Sequence, residues 1–142
     1  IVAADFSQEA LAVAKYNSKS LQLAVDFFWS DWFSHVPQQS FDLIVSNPPY
    51  IGKTDKHLEE GDVRFEPDSA LIAEDHGYGD IKKICQQALD YLAPGALLML
   101  EHGFEQGPGV CQVLAEGGYV DIQTMQDLVG LDRVTFGCKP EK

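Results

Sequence analysis

Two consecutive prolines directly after a short apolar run constrain this chain more than any other feature. The run from Phe41 to Ser46 is followed by Asn47-Pro48-Pro49-Tyr50. Its apolar block, Leu43 to Val45, is bounded by polar residues, which predicts a strand buried on both faces of a parallel sheet. The prolines fix φ at two positions, remove two backbone donors and disfavour helical geometry at Asn47. We therefore expect a stiff turn at the carboxyl end of a central strand, where open α/β sheets bind ligands.

The chemistry of this turn suits a planar NH2 group. The side-chain oxygen of Asn47 and the Pro48 carbonyl could each accept one hydrogen, while the Tyr50 ring packs on the flat face of the group. An amide nitrogen is a weak nucleophile because its lone pair is delocalised, so aiming it at an electrophile is where an enzyme can help. The alternative is a purely structural turn after a strand. The occurrence of Asn, two prolines and an aromatic residue together favours the functional interpretation.

The first residues of the chain also form an apolar run that ends in an acid. Ile1 to Ala4 predict a buried strand ending at Asp5, and Ser7 then caps a helix that runs to about Lys19. An acid at the end of the second strand of a doubly wound fold is placed to accept hydrogen bonds from ribose hydroxyls. The alternative for Asp5 is a turn residue that leads into the helix.

A second acid follows the next predicted strand, Val25 to Trp29. Asp31 and Trp32 combine a carboxylate with a large aromatic ring, which could bind the exocyclic amine of an adenine and pack against its ring. The alternative for Trp32 is a core aromatic residue that covers the edge of the sheet.

The remaining chain continues the alternation of strands and helices. The segment 51–79 has no helical or strand periodicity and is long for a loop inside a domain, so we interpret it as a flap over the substrate site. The elements predicted after it are a helix capped by Asp80 and running to about Leu92, a stop at Ala93-Pro94-Gly95, a buried strand Ala96–Glu101, a helix Gly107–Glu116 and an antiparallel hairpin of Tyr119–Met125 and Asp132–Cys138. Glu101 either supports the site or is a structural acid. This order predicts an α/β fold with three layers and a mostly parallel sheet.

These motifs resemble those of a known family. The stretch Phe41 to Ile51 looks like the signature of S-adenosylmethionine-dependent amino-methyltransferases. Further matching segments are Val63-Arg64-Phe65-Glu66-Pro67, Ala70-Leu71, Leu97 to Gly103 and Asp132-Arg133-Val134. They narrow the resemblance to the PrmC/HemK family, the protein-glutamine N5-methyltransferases of peptide chain release factors. The resemblance runs from Ile1 nearly to the end of the chain and implies a Rossmann-like methyltransferase fold.

The resemblance also implies a cofactor, a substrate and a role for each candidate residue. The cofactor is S-adenosylmethionine, and the substrate is the glutamine of the Gly-Gly-Gln motif of a release factor, whose methylation supports translation termination. The implied cofactor-binding residues are Asp5, Phe6, Asp31, Trp32 and Asn47, with Asp31 and Trp32 at the adenine. The implied catalytic residues are Asn47, Pro48 and Tyr50, and the substrate amide is bound by Asn47, Pro48, Pro49 and Tyr50.

One part of the implied fold is missing from the sequence. In nucleotide-binding sheets the first strand is followed by a glycine-rich turn that lets the backbone approach the cofactor, and no such turn precedes Asp5. We therefore expect residues 1–142 to be a partial catalytic domain that lacks the first strand and the glycine-rich loop. Such a fragment is expected to be inactive by itself.

Charge and composition restrict the partners. A formal net charge of −12 and a pI near 4.5 argue against a surface that tracks phosphates, so we expect a protein partner and no direct contact with nucleic acid. No apolar run approaches the roughly 20 residues that span a bilayer, which predicts a cytoplasmic protein without membrane contact. Cys85, Cys111 and Cys138 lack Cys-x-x-Cys spacing and the histidines are scattered, so no disulfide or metal site is predicted.

Two alternative functions remain open at this point. An adenine-N6 DNA methyltransferase would use the same Asn-Pro-Pro-Tyr residues on a flipped base, but it would be expected to carry a basic groove. A non-catalytic binding domain of the same fold would differ only in lacking activity.

Overall fold

The computed structural model describes residues 1–52, 71–73 and 75–141. These residues divide into two units, Ile1–Gln39 and Ser40–Lys142. The predicted flap motif Val63 to Pro67, with Arg64, lies outside the described residues. Within the ranges given, no helix is long and apolar enough to cross a membrane.

The first unit contains two parallel strands and one helix. They are β1 (Val2–Asp5), α1 (Gln8–Ser20) and β2 (Asp26–Trp29), and the pairing of β1 with β2 ends at Asp5 opposite Trp29. Ser7 caps α1 as predicted, because its hydroxyl accepts a hydrogen bond from the Ala10 amide at 3.1 Å. The prediction that the first strand is buried is wrong, since Ala4 and Asp5 are exposed.

Besides the 3₁₀ turn Asp75–Gly77, the second unit contains six strands and two α-helices among its described residues. They are β3 (Phe41–Ser46), β4 (Ile51–Gly52), β5 (Ile72–Ala73), α2 (Gly79–Ala88), β6 (Leu92–Glu101), α3 (Gly107–Glu116), β7 (Val120–Gln126) and β8 (Asp132–Cys138). A four-stranded sheet has the order β3-β6-β8-β7, in which β3 and β6 are parallel and β8 is antiparallel to both neighbours. The predicted terminal hairpin is therefore confirmed. The segment 51–79 does contain strands, contrary to prediction, because β4 and β5 pair in parallel.

The core of the second unit lies between this sheet and its helices. α2 packs against β6, and α3 packs against β7 and β8. Apolar side chains that are at most 1 % exposed come from α2, β6 and α3, namely Ile81, Ile84, Cys85, Ala88, Leu98, Leu100, Val110 and Leu114. Leu98 and Leu100 share one face of β6 because successive side chains of a strand alternate.

The prediction that β3 is buried on both faces is wrong. Leu43 is 48 % exposed and Val45 is 68 % exposed, whereas Ile44, which pairs with the buried Leu98, is half-buried. Burial of a second face requires a second covering layer. Neither of the two helices described in the second unit covers the face that carries Leu43 and Val45.

The junction between α2 and β6 also differs from the prediction. Asp80 lies inside the first turn of α2 and does not cap it, because Tyr78 occupies the capping position without a side-chain bond. α2 ends at Ala88, and β6 already begins at Leu92. Phe41 pairs with Leu92 and Leu43 pairs with Leu97. Between these two pairs β6 therefore advances by five residues while β3 advances by two. The residues Ala93-Pro94-Gly95 therefore form a bulge within the strand, where a proline and a glycine are tolerated.

Candidate active site

The carboxyl ends of β3 and β6 meet the start of β8 at one edge of the sheet. Ser46, the last residue of β3, pairs with Leu100, and Glu101, the last residue of β6, pairs with Val134 of β8. Because β8 runs antiparallel to β6, its first residues lie at the same edge. The strand register thus brings together the Asn47 turn, Glu101 and Arg133, which are far apart in the sequence.

Asn47 lies beside a small depression at this edge. Its side chain is exposed and forms no hydrogen bond with any residue that the structure describes, while the next residue, Pro48, is fully buried. The depression has a volume of about 150 Å³ and is lined by Val45, Ser46, Asn47, Met99, Glu101 and Val134. Pockets for drug-sized ligands are roughly 300 to 1,000 Å³, and a smaller depression such as this one has room for a side-chain amide.

Tyr50 is held through both its side chain and its main chain. Its half-buried phenol interacts with Glu101 and Arg133. Burial, and after it the charge of Glu101, raises the pKa of the Tyr50 phenol above its ordinary value, while Arg133 acts in the opposite direction. The phenol therefore keeps its proton at neutral pH and can donate a hydrogen bond to Glu101. The Tyr50 carbonyl accepts a hydrogen bond from Gln106 Nε2 at 3.0 Å.

Arg133 is in turn fixed by the turn of the β7–β8 hairpin. Its guanidinium lies 3.3 Å from Asp127 Oδ2 and donates to the His102 carbonyl at 3.3 Å. The backbone amides of Leu131 and Val129 donate to Asp127 Oδ1, each at 3.0 Å. These bonds lower the pKa of Asp127, and the bond from Leu131 has the largest effect. The Asp127 carboxylate therefore stays charged and orients Arg133 toward the Tyr50 phenol.

The buried residue next to Glu101 has a structural role. His102 is 0 % exposed, and its Nε2 lies 2.8 Å from Thr135 Oγ1. Its Nδ1 lies 2.9 Å from the Gly103 carbonyl and donates to it, because a carbonyl can only accept. These bonds hold the segment that carries Glu101 against β8.

The cofactor candidates Asp5 and Phe6 lie at the end of β1 in the first unit. Asp5 is exposed, and its Oδ1 accepts a hydrogen bond from the Ser7 amide at 2.7 Å, which is the turn role considered for it. The Phe6 ring is 67 % exposed and lies 6.4 Å from the ring of Trp29, which in turn stacks on His35 at 6.1 Å. A carboxylate acceptor beside exposed aromatic rings matches the chemistry of a ribose and an adenine, so these residues fit S-adenosylmethionine.

Asp31 and Trp32 follow β2 in the same unit. Asp31 is exposed and Trp32 is half-buried, and both interact with other parts of the protein. Trp32 has a left-handed φ of 51°, which is unusual for a bulky side chain and marks a constrained turn.

Trp29, Gln106 and Arg133 are not among the site residues predicted from the sequence. Trp29 is predicted only as a strand residue, although an aromatic residue at the end of a strand, opposite a candidate acid, is a signal for a binding residue. The contacts that Gln106 and Arg133 make with Tyr50 have no signal in the sequence, because they join residues 56 and 83 positions apart.

Known proteins resemble this chain in both sequence and structure. Residues 1–63 match the family model described as methyltransferase small domain. The chain is 49 % identical over 138 residues to the release factor glutamine methyltransferase of Shewanella oneidensis, covering 96 % of this chain and 48 % of that protein. It is 44 % identical over 138 residues to the Escherichia coli protein of the same name, covering 96 % and 50 %. The chain thus spans about half the length of the curated relatives it matches.

The fold is likewise that of known methyltransferases. A methyltransferase from Pyrococcus furiosus superposes with a TM-score of 0.72 at 19 % identity, covering 98 % of this chain and 62 % of that one. The Thermus thermophilus 16S rRNA N2 G1207 methyltransferase, solved with AdoMet and guanosine, superposes with a TM-score of 0.64 at 18 % identity, covering 97 % and 31 %. The predicted Rossmann-like methyltransferase fold is confirmed. Over nearly its whole length, the chain is therefore similar to about half the length of the release factor glutamine methyltransferases that it matches.

Proposed function

We propose that the full-length protein transfers a methyl group from S-adenosylmethionine to the side-chain nitrogen of the glutamine in the Gly-Gly-Gln motif of peptide chain release factors. The main support is the position of Asn47. Its exposed side chain lies on a rigid proline turn, beside a depression with room for a side-chain amide. The names of the relatives, which match nearly the whole of this chain, support the same substrate.

Each residue of the turn has a defined task in this reaction. The Asn47 side-chain oxygen accepts one hydrogen of the substrate amide. The Pro48 carbonyl, which belongs to a fully buried residue before the substrate binds, accepts the other after the turn adjusts. Pro49 keeps the turn stiff, and the Tyr50 ring packs on the amide plane. Alignment of the weak nitrogen nucleophile is the main contribution, and the two accepted hydrogen bonds favour the positive charge that develops on it. No strong base is needed before the methyl group moves, and the nitrogen then loses a proton to solvent.

The residues of the first unit bind the cofactor in this proposal. Asp5 accepts hydrogen bonds from the ribose, and Phe6, Asp31 and Trp32 hold the adenine. S-adenosylmethionine, when bound, supplies the electrophilic methyl group. The net charge of −12 favours a protein substrate over DNA, and we propose a cytoplasmic enzyme that contacts neither nucleic acid nor membrane directly.

Mass spectrometry of a methylated substrate tests the proposal. The full-length protein is incubated with methyl-deuterated S-adenosylmethionine and either release factor, the same factor with its Gly-Gly-Gln glutamine replaced by alanine, or adenine-containing DNA. We expect one labelled methyl group on that glutamine and none on the other two substrates. Label on DNA, or no label on the factor, would show that the proposed function is wrong.

The same assay tests the assignment of Asn47. Asn47→Ala should abolish methylation and leave the fold intact, because the side chain is exposed and makes no bond to the described part of the protein. Asn17→Ala, at an exposed position of α1, is the matched control and should keep full activity. An Asn47→Ala enzyme with nearly wild-type turnover would remove Asn47 from the amide site.

A further inference from the structure

The side chain of Gln106 joins two backbone groups that belong to different parts of the active-site edge. Its Oε1 accepts a hydrogen bond from the Gly103 amide at 2.8 Å, and its Nε2 donates to the Tyr50 carbonyl at 3.0 Å. Gln106 is therefore a bridge between the end of the Asn47–Tyr50 turn and the segment that follows Glu101.

The location of Gln106 in its own helix makes this use unusual. Gln106 occupies the N-cap of α3, where a side chain ordinarily accepts hydrogen bonds from the first turn of the helix. Gln106 makes no such bond, and Pro108 removes one of the donors that a cap would satisfy. Both ends of its amide thus bind groups outside the helix.

Two glycines provide the space that this bridge needs. A Cβ at Gly103 would lie 3.1 Å from Gln106 Oε1, which is tighter than ordinary contact. A Cβ at Gly77 would overlap the Tyr50 carbonyl oxygen and would lie 2.6 Å from Gln106 Nε2. The Tyr50 carbonyl is accordingly enclosed by Gly77 and Gln106 from two directions.

The turn depends on such external bonds. Pro48 and Pro49 have no N–H groups, so they cannot donate to the hydrogen bonds that close an ordinary turn. The prolines fix φ but leave their ψ angles free, and the ψ angle of Pro48 sets the direction of the Pro48 carbonyl. A bond to the Tyr50 carbonyl restricts the rotation of the last peptide of the turn.

We propose that Gln106 is a positioning residue for methyl transfer. Its hydrogen bond to the Tyr50 carbonyl holds the Asn47–Tyr50 turn in place. The proposal rests on the proposed function in so far as that turn holds the substrate amide. Gln106 itself touches neither substrate nor cofactor in this assignment.

Two substitutions at Gln106 separate its bonds, with a matched control in the same helix. In the full-length protein, Gln106→Met removes both bonds at similar volume, and Gln106→Glu keeps the acceptor for the Gly103 amide but places a carboxylate against the Tyr50 carbonyl. Gln112→Met is the control, because Gln112 is exposed and, among the described residues, its side chain bonds only Glu116 of the same helix. We expect both Gln106 variants to lose roughly 10- to 100-fold in kcat, with KM for release factor and the affinity for S-adenosylmethionine changed little. The control should keep wild-type kinetics.

A second measurement reports on the turn without requiring activity. In protein labelled with ¹³C at proline, we expect one set of resonances for Pro48 and Pro49 in the wild type and in Gln112→Met, and broadened or doubled resonances in Gln106→Met. Unchanged resonances in Gln106→Met would overturn the proposal whether or not the enzyme is active. Altered resonances with wild-type kcat would overturn it too, because the bond would then be structural only.

A wild-type protein that methylates no release factor would refute the proposed function, and the resonances alone would then decide whether Gln106 orders the turn.

Discussion

At the scale of single residues, Asp5 shows how a turn residue can also be a ligand. One carboxylate oxygen accepts the Ser7 amide and so shapes the entry into α1. A carboxylate has about four lone-pair sites, so this bond leaves capacity for the hydroxyls of a ribose. The two roles considered for Asp5 are therefore compatible, and a substitution has to distinguish them.

Asp5→Ala should weaken binding of S-adenosylmethionine more than it slows saturated turnover, since ribose hydrogen bonds are made alike in ground and transition states. Charge-assisted hydrogen bonds contribute about 1.5 to 3 kcal/mol each, so we expect at least a roughly tenfold loss of affinity in calorimetric titration of the full-length protein. Asp5→Asn keeps an acceptor for the Ser7 amide and should show a smaller loss. Asp26→Ala, an exposed acid at the start of β2, is the control. Unchanged affinity in Asp5→Ala would exclude Asp5 from the cofactor site.

At the scale of elements, the Asn47–Tyr50 turn derives its order from its neighbours. Tyr50 is held by β6 through Glu101, by β8 through Arg133 and by the N-terminus of α3 through Gln106. The 3₁₀ turn Asp75–Gly77 contributes the fourth contact, because Gly77 approaches the Tyr50 carbonyl with a φ of 92°. A side chain at Gly77 would therefore be unfavourable both for the backbone and for the space around it.

Gly77→Ala should lose more stability than Gly118→Ala, although both glycines have nearly the same φ. Gly118 has a φ of 88°, and apart from its chain neighbours no atom of the described residues lies within 4 Å of the position that a Cβ would occupy there. Its substitution therefore introduces only backbone strain, typically about 1 to 3 kcal/mol. Gly77→Ala adds a steric overlap with Tyr50 and Gln106 and should also reduce kcat.

Urea unfolding and steady-state kinetics of the full-length variants measure the two effects of Gly77→Ala. Equal losses of stability in Gly77→Ala and Gly118→Ala, with full activity in both, would show that the turn tolerates displacement.

At the scale of the whole chain, most of the buried apolar side chains belong to the second unit. Two of its buried groups, Cys85 and Tyr119, lie against each other. The Tyr119 hydroxyl donates to the Cys85 carbonyl at 2.9 Å, linking the end of α3 to α2. Burial raises the pKa of the Cys85 thiol to about 12 and also raises the pKa of the Tyr119 phenol. Neither group can become charged without cost while the core is intact.

These shifts predict a loss of stability at alkaline pH. In the unfolded chain Cys85 loses its proton near its ordinary pKa of 9.0, whereas in the folded protein it holds the proton up to about pH 12. Between these values the unfolded state binds fewer protons, so the free energy of unfolding falls as pH rises, by up to about 1.4 kcal/mol per pH unit for one group. Cys85→Ala should show a shallower fall than the wild type in denaturant unfolding from about pH 8 to about pH 11. Comparing the wild type with Cys85→Ala at each pH subtracts the contribution of all other titrating groups. Identical slopes of unfolding free energy against pH in the two proteins would contradict the prediction.

The local elements and the chemistry of the Asn47–Tyr50 turn could be predicted from the sequence. Periodicity and capping residues placed α1, α3 and the β7–β8 hairpin correctly, because these features depend on neighbouring residues along the chain. Which strand faces are covered depends on packing between distant elements, as the exposed Leu43 and Val45 show, and so does the bulge that contains Pro94 and Gly95. Only the tertiary structure brought Gln106, Arg133 and Gly77 to Tyr50. These contacts arise from strand register and helix packing, which act between residues distant in sequence and leave no periodic signal in it.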